Sequence, residues 1–275
     1  MKDYIKNAIL TKERWIINYL SEDLLDVNVT ENNDLKIAIQ ISGGLRTFTY
    51  MIPWINKFII EPLNADVFIH GWANNLGVEE NIKQISNYLN LKSFKINDIN
   101  SDEYKYLRKE NITHDKVYGN YFNVYECNKL RNEYEKENNI KYDLVIKCKF
   151  DALFFSDFDK IDLEYILNNN CVGIPDEYFK ALWCPFTTDV LAIAKPEIMN
   201  KYCDCYLFID EAINSYSKDR GGAEEVLHYN FVKYMNDVSI YNIIPNFVID
   251  IPKFMHSEEL DFINTRLSVN GVNGY

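Results

Sequence analysis

The sequence predicts an α/β domain with a mainly parallel sheet flanked by helices, and an N-terminal helical extension before it. Two observations support this fold class. Apolar runs typical of buried strands alternate with helical patterns at a spacing of about 30 residues, which is the length of a βαβ unit. The chain of 275 residues is also 47% hydrophobic, so it can bury the large core that such a sheet needs.

The extension covers residues 1–34. Its apolar residues recur at helical spacing over the first 26 positions, and a polar stretch with three Asn residues follows. The domain covers residues 35–275. Its first half, 35–151, is predicted to bind a nucleotide, and its second half, 152–275, is predicted to bind an acceptor.

Seven segments of the domain have the pattern of a strand. In chain order they are Lys36–Ile41, Asp66–His70, Ser93–Ile96, Asp143–Lys149, Cys171–Ile174, Val190–Lys195 and Ser239–Asp250. Helical patterns lie between them, around 54–59 and over Glu79–Leu89, His114–Asn139, Pro196–Tyr216 and Ala223–Met235. The first half therefore reads as regular βαβ units, whereas the second half is a mixed region.

Composition and charge argue against several classes of protein. The formal net charge is −12 and no long basic stretch is present, so we expect no nucleic-acid partner. No apolar run reaches the length of about 18 residues that a membrane span needs, and the N-terminus lacks the apolar region of a signal peptide. The six Cys residues include no Cys-x-x-Cys pair, so we expect reduced thiols and a cytoplasmic location.

The first candidate site is the loop after the first strand, where Ser42-Gly43-Gly44 is followed by Arg46. Glycine has no Cβ, so the backbone can approach a ligand closely, and a guanidinium group can bind a diphosphate through paired hydrogen bonds. The loop matches neither the Walker pattern nor the dinucleotide-binding glycine pattern. The alternative is a tight strand-to-helix turn with Arg46 on the surface.

Two further strands end in polar residues, and ligands of open parallel sheets bind beyond the carboxyl ends of the strands. His70 and Trp72 either contact the nucleotide or pack in the core. Lys147, Lys149 and Asp151 share one face at period two. There the lysines can neutralise phosphate charge and Asp151 can hold Mg²⁺ or Mn²⁺, unless they form the solvated side of an edge strand and a turn cap.

Acidic residues are the candidates for a general base. Glu224 and Glu225 open a predicted helix just after two glycines, and the adjoining segment 215–222 is expected to close over substrate. Glu225 is the first candidate to deprotonate an acceptor hydroxyl, followed by Glu224 and Asp189. The alternative is that both glutamates only interact favourably with the helix dipole.

The order of the motifs IAIQISGGLRTF, ADVFIHGW and KYDLVIKCKFDALFF resembles that of GT-A-like glycosyltransferases of polysaccharide and lipopolysaccharide synthesis loci and of large DNA viruses. A later stretch, PFTTDVLAIAKPEIMNKY, and a helical Glu-Glu-Val-Leu complete the similarity, which covers residues 36–241. The resemblance implies a Rossmann-like GT-A fold. It also implies transfer of a sugar, with inversion, from a nucleotide-sugar donor to a hydroxyl group of a glycan acceptor.

Matched by position, the resemblance assigns Ser42–Gly44 and Arg46 to the donor-binding loop and Asp151 to the acidic metal or diphosphate motif. It assigns Glu224–Glu225 to the acceptor side. The chain departs from the pattern at Lys149, because the familiar Asp-x-Asp requires an acid there. Positive charge from Lys149 is therefore an alternative to Mn²⁺ or Mg²⁺.

Two other functions remain open. One is a nucleotidyltransferase on a similar fold, although such enzymes commonly carry a longer glycine-rich loop with a basic residue within it. The other is a non-catalytic module that binds carbohydrate or protein through a degenerate site, which the missing Asp-x-Asp slightly favours. Hydrolysis of a nucleotide-sugar donor separates the enzyme from the module, because a binding module turns over no donor.

Overall fold

The computed structural model describes residues 35–45, 52, 55–73, 89–107, 115–150, 152–154, 162–175, 189–215, 222–243 and 248–250. Several predicted features lie outside these ranges. They are the N-terminal extension, almost all of the helix predicted over 79–89, most of the segment 215–222, and two candidate site residues, Arg46 and Asp151.

Nine strands are present in the described part of the chain. They are β1 (Ile37–Gly44), β2 (Asp66–Ala73), β3 (Leu91–Asp98), β4 (Leu144–Lys149), β5 (Ala152–Phe154), β6 (Cys171–Pro175), β7 (Leu191–Ala194), β8 (Ser239–Ile243) and β9 (Val248–Asp250). Seven of them form one sheet in the order β3-β2-β1-β4-β7-β6-β8, and β5 pairs with β9 in a separate sheet. Strands β1 to β4 are mutually parallel, whereas β7 runs antiparallel to both β4 and β6.

The helices of the described residues are α1 (Glu61–Leu63), α2 (Asp102–Leu107), α3 (Asp115–Asn138), α4 (Leu163–Asn168), α5 (Pro196–Cys203), α6 (Ile209–Ser215) and α7 (Ala223–Lys233). A π-helical turn, Asn56–Ile60, leads into α1. The single helix predicted over 196–216 is divided, because a 3-10 helix, Asp204–Phe208, separates α5 from α6. None of the described helices has the length and apolar character needed to cross a membrane.

This sheet with flanking helices confirms the α/β class with a mainly parallel sheet that the sequence predicts. Strands from both predicted halves of the domain belong to the one large sheet. The predicted strand-like tail is correct in kind, but it consists of two strands, β8 and β9, that join different sheets. Three short elements, α2, α4 and β5, have no counterpart among the predicted ones.

The two faces of the sheet pack against different partners. Ile39 and Ile41 of β1 lie in an apolar core with residues of the segment 52–63. Ala38, from the intervening positions of β1, lies in a second core that includes residues of α3, α5 and α7. Strand side chains alternate between faces, so Gln40 and Ser42 lie on the same face as Ala38. That face carries the candidate site.

Candidate functional site

Three polar residues form a row across adjacent strands near their carboxyl ends. In the register of the sheet, Ser42 of β1 lies opposite His70 of β2 and opposite Lys149 of β4. The previous pair on this face is Gln40 with Lys147. Residues from three separate predicted strand ends therefore lie side by side.

The segment Ser42-Gly43-Gly44 was predicted as a loop after the first strand, but it forms the last three residues of β1 and remains paired with β2. Its conformation depends on its glycines. Gly43 has a φ of +127°, a conformation that residues with a Cβ rarely adopt. A Cβ at Gly44 would lie 2.8 Å from Cζ2 of Trp72, so the indole packs directly on the glycine backbone. The Oγ of Ser42 is buried and has no hydrogen-bond partner among the described residues. This end of β1 thus combines a glycine backbone in an unusual conformation with a buried hydroxyl group that has no partner among the described residues.

The antiparallel direction of β7 brings the residues before it next to the end of β4. The backbone N–H of Lys149 donates to the carbonyl of Val190 at 3.1 Å. The Lys149 Nζ lies 2.7 Å from Oδ1 of Asp189, and the Lys147 Nζ donates to the backbone carbonyl of Asp189. Asp189 is only 2% exposed, so one lysine pairs with a buried carboxylate and the other binds the backbone of the same residue.

These contacts set the ionisation of Asp189. Burial by itself raises the pKa of Asp189, but Lys149, Lys147 and a hydrogen bond from Nδ2 of Asn120 at 2.8 Å outweigh it and lower the pKa to about 2. Asp189 is therefore ionised at neutral pH and is a weak proton acceptor. Burial lowers the pKa of the Lys147 ammonium group, and the charge of Asp189 opposes that effect.

The alternative that Lys147 and Lys149 form the solvated side of an edge strand is wrong. Strand β4 lies inside the sheet, between β1 and β7, and Lys147 is 1% exposed. The Lys149 side chain is 20% exposed, so it alone of the two retains some access to solvent. Burying an ammonium group is unfavourable unless it is paired, which explains why both lysines bind Asp189.

The long helix α3 connects the parts of the site. Its Asn120 binds Asp189, and the next residue, Tyr121, donates a hydrogen bond from its hydroxyl to the carbonyl of Ala223 at 2.6 Å. That bond fixes the first turn of α7. Asn123, one turn along α3, lies with its Oδ1 2.9 Å from Nδ1 of His70.

The two glutamates at the start of α7 differ in environment. The Oε2 of Glu225 lies 2.5 Å from the position that a Cβ at Gly222 would take, so this carboxylate folds back over the helix start. Glu224 is exposed as a residue, yet desolvation of its carboxyl group and repulsion from Asp189 raise the pKa of Glu224. The ionisation of Glu224 is thus coupled to the charges of Asp189 and Lys149.

His70 and Trp72, near the end of β2, lie in different environments. His70 is fully buried, and burial lowers its pKa to about 4 although its hydrogen bond with Asn123 opposes the shift. Its Nε2 lies 3.4 Å from Nδ2 of Asn97. His70 is thus a neutral, hydrogen-bonded core residue. Trp72 is half-buried, and its ring centroid lies 6.5 Å from that of Tyr104.

The described surroundings of Lys149 do not fit a divalent cation. A Mg²⁺ or Mn²⁺ site needs several free oxygen ligands. Here both oxygens of the Asp189 carboxylate bind other groups, Lys149 and Asn120, and its backbone carbonyl binds Lys147. Across the described ranges, no group of three or more His, Cys, Asp or Glu residues could hold a metal. The predicted ligand, Asp151, lies outside those ranges.

Comparisons with known proteins give structural overlaps only. No family model and no curated protein matches the sequence. The glycosyltransferase GlyE of Streptococcus pneumoniae TIGR4 overlaps with 75% of this chain at 10% identity and a TM-score of 0.42, and the chain spans 46% of GlyE.

Two more overlaps involve other transferases. For mouse xyloside xylosyltransferase 1 the identity is 8% and the TM-score 0.44, with 76% of this chain and 84% of that one covered. For a cytidylyltransferase from Leptospira borgpetersenii the identity is 10% and the TM-score 0.40, with 87% and 97% covered. All three overlaps are loose, so the function proposed below is drawn from the site's own residues.

Sequence reasoning missed the contribution of α3 to the site. Asn120 and Asn123 were part of a predicted helix, but they were not recognised as partners of site residues. A signal was present, because Asn120 and Asn123, and again Asn128 and Arg131, are three residues apart, which places each pair on one side of the helix. Hydrogen-bonding side chains at that spacing indicate a polar face that packs against other polar groups.

Proposed function

We propose that this protein is a glycosyltransferase that moves a sugar from a nucleotide-sugar donor to a hydroxyl group of a glycan acceptor. One observation carries the proposal. Ser42, at the glycine end of β1, lies opposite Lys149 of the Lys149–Asp189 pair. Helix α3 connects this pair to the start of α7, because its adjacent residues Asn120 and Tyr121 bind Asp189 and the carbonyl of Ala223, the residue before Glu224. A site for phosphate groups beside a carboxylate with a raised pKa suits sugar transfer to a hydroxyl group.

On the donor side, the backbone at Gly43 and Gly44 and the guanidinium group of Arg46 bind the phosphate groups. The Lys149 ammonium group stabilises the negative charge that develops on the leaving phosphate as the glycosidic bond to the sugar breaks. Asp189 acts through Lys149, because it holds the Nζ in place at 2.7 Å. Trp72 offers a half-buried ring surface next to Gly44, at the end of β1, for a base or sugar.

On the acceptor side, Glu224 is the general base. It takes the proton of the acceptor hydroxyl as that oxygen attacks the anomeric carbon, and the nucleotide leaves from the opposite face. One displacement with one base gives inversion. Glu225 is the second choice because its carboxylate folds over Gly222, and Asp189 is the third because its pKa is about 2.

Thermal unfolding of the full chain with UDP-, GDP-, CMP- and dTDP-sugars tests the proposal, followed by assays of nucleotide release. We expect one nucleotide class to raise Tm selectively, since a ligand at 100 times its Kd adds about 2.7 kcal/mol to the free energy of unfolding. The same donor should be hydrolysed slowly without acceptor and faster with it.

Other results would support other functions. Stabilisation without any turnover indicates a binding module. Consumption of a nucleoside triphosphate and a sugar phosphate, with release of pyrophosphate, indicates a nucleotidyltransferase. If no nucleotide sugar raises Tm and none is turned over, the proposal is wrong.

A further inference from the structure

We infer, on the basis of the proposed function, that Lys149 takes the place of a divalent cation, so that the phosphate groups of the donor bind to its ammonium group without a metal. The inference concerns how the donor is held. Three observations on the described residues lead to it: the position of Lys149, the way its side chain is fixed, and the charge of its neighbours.

The position of Lys149 is suitable for a phosphate ligand. It is the last residue of β4 and lies opposite Ser42, which precedes the two glycines at the end of β1. Its side chain lies on the face of the sheet that carries the site, and at 20% exposure it reaches solvent, whereas Lys147 does not. A ligand at this edge therefore meets the ammonium group of Lys149.

The side chain of Lys149 is fixed before a ligand arrives. A free lysine loses rotamer entropy when it binds a phosphate, because its four-carbon stem is flexible. Here Asp189 already holds the Nζ at 2.7 Å, and Asn120 holds the other carboxylate oxygen at 2.8 Å. Asp189 itself is tied to β4 by Lys147 and by the backbone pair Lys149–Val190. The ammonium group is thus held in place, as a bound metal ion would be.

The charge of the neighbours favours an anion over a cation. The Lys149 ammonium group pairs with the Asp189 carboxylate, whose two oxygens are both hydrogen-bonded, and the buried Lys147 ammonium group binds the backbone carbonyl of the same residue. A divalent cation at this point would meet two like charges and would have to displace existing bonds, whereas a phosphate group would gain a charge-assisted hydrogen bond. Glu224, the proposed base, is a further acidic residue that interacts electrostatically with Lys149 and Asp189.

Calorimetric titration of UDP, GDP, dTDP and CMP into the full chain tests the inference, in one buffer with EDTA and in another with MnCl₂. For the nucleotide that binds, we expect Kd values that agree within about threefold between the buffers. Lys149→Ala should weaken binding by about 10- to 100-fold in both. Lys149→Arg keeps the positive charge, so its nucleotide affinity should fall much less than that of Lys149→Ala.

Lys201→Ala is the matched control, because Lys201 also forms an ion pair, with Asp237 at 3.0 Å, but lies on the surface at α5. Its Kd should equal that of the wild type. Binding that needs Mn²⁺, or unchanged affinity in Lys149→Ala, overturns the inference while the proposed function stands. Absence of binding by all four nucleotides in both buffers overturns both. Should Lys149→Ala fail to fold, the wild-type comparison between EDTA and MnCl₂ decides.

Discussion

Alternate residues of the same strands build very different environments on the two faces of the sheet. On one face, Ile39, Ile41 and Ile146 are fully buried in an aliphatic core. On the other, Gln40, His70 and Lys147 are just as buried. Burial of apolar groups stabilises the fold, whereas burial of polar groups is unfavourable unless each finds a partner. The second face, which we call the polar face, thus combines an apolar core of its own with buried polar groups that each need a partner.

The partners of the polar face come mainly from α3. Asn128 accepts hydrogen bonds from Gln40 at 2.9 Å and from Arg131 at 2.8 Å, and it donates one to Asn200 at 2.8 Å. Towards the carboxyl ends of the strands, the same helix face supplies the partners of His70 and Asp189. The hydrogen bonds between α3 and the polar strand residues, which we call the polar layer, thus run from the middle of the sheet to the site and position the site residues.

The largest expected effect is on turnover, and it concerns the candidate site at the carboxyl ends of the strands. Glu224→Gln should lower turnover by about 10²- to 10⁴-fold with little change in donor Kd, because a general base acts on the acceptor. The raised pKa of Glu224 also predicts that wild-type activity falls, on acidification, at a higher pH than an ordinary glutamate would give. Single-turnover rates across pH measure both effects.

Glu164→Gln is the control for helix-dipole effects, because Glu164 occupies the first turn of α4 and is exposed. It should keep wild-type rates and pH dependence. Equal rates for wild type and Glu224→Gln would remove Glu224 from the chemistry. The same measurements on Glu225→Gln would then show whether Glu225 is the base.

On the apolar face, Ile146→Ala should lower the free energy of unfolding by about 2–5 kcal/mol, because it leaves a cavity in a fully buried site. Turnover per folded molecule should change little. Chemical denaturation measures the loss, with Ile240→Ala as the control, since Ile240 of β8 is 37% exposed. A smaller loss for Ile146→Ala than for Ile240→Ala would contradict the account of the two faces.

His70 should make stability depend on pH. Its pKa is about 4 in the folded chain and about 6.5 when unfolded, so the unfolded chain binds more protons between these values. The free energy of unfolding should therefore fall as pH decreases from 6.5 towards 4, by up to about 3 kcal/mol. Denaturant titrations over this pH range should show that the free energy of unfolding changes more steeply with pH in the wild type than in His70→Gln. Parallel curves would show that His70 does not titrate in this way.

The smallest expected effect is within the polar layer. Asn128→Ala should lower the free energy of unfolding by about 1–3 kcal/mol, because buried polar atoms of Gln40 and Arg131 lose a partner. Asn138→Ala, at the exposed end of the same helix, is the control. Thermal unfolding of both variants measures the difference. No difference between them would mean that the Asn128 contacts add nothing to stability.

Much of this fold could be predicted from the sequence, because apolar periodicity identifies buried strands and long helices. The elements α2, α4 and β5 were missed because they span six residues or fewer, which is too short for periodicity to be distinctive. The polar face of α3 was missed for another reason. Its asparagines resemble a solvated surface until the residues opposite them are known.

The candidate site was predictable only in part. Ser42 and Lys149 come from strands whose parallel pairing follows from the βαβ pattern. The ion pair of Lys149 with Asp189 could not be predicted, since it depends on β7 lying antiparallel beside β4. Likewise, the coupling of Glu224 to Asp189 depends on the bond between Tyr121 and Ala223, which joins elements 102 residues apart.

Hydrogen–deuterium exchange with and without a bound nucleotide tests most directly whether the donor binds at the candidate site, around the ends of β1 and β4. The account predicts slower exchange in three segments that are distant in sequence, 42–45, 147–150 and 189–191. Exchange in β8 should not change, because β8 is an edge strand and β7 and β6 separate it from β4. Binding that leaves the three segments unchanged, or that protects β8 instead, would contradict the account.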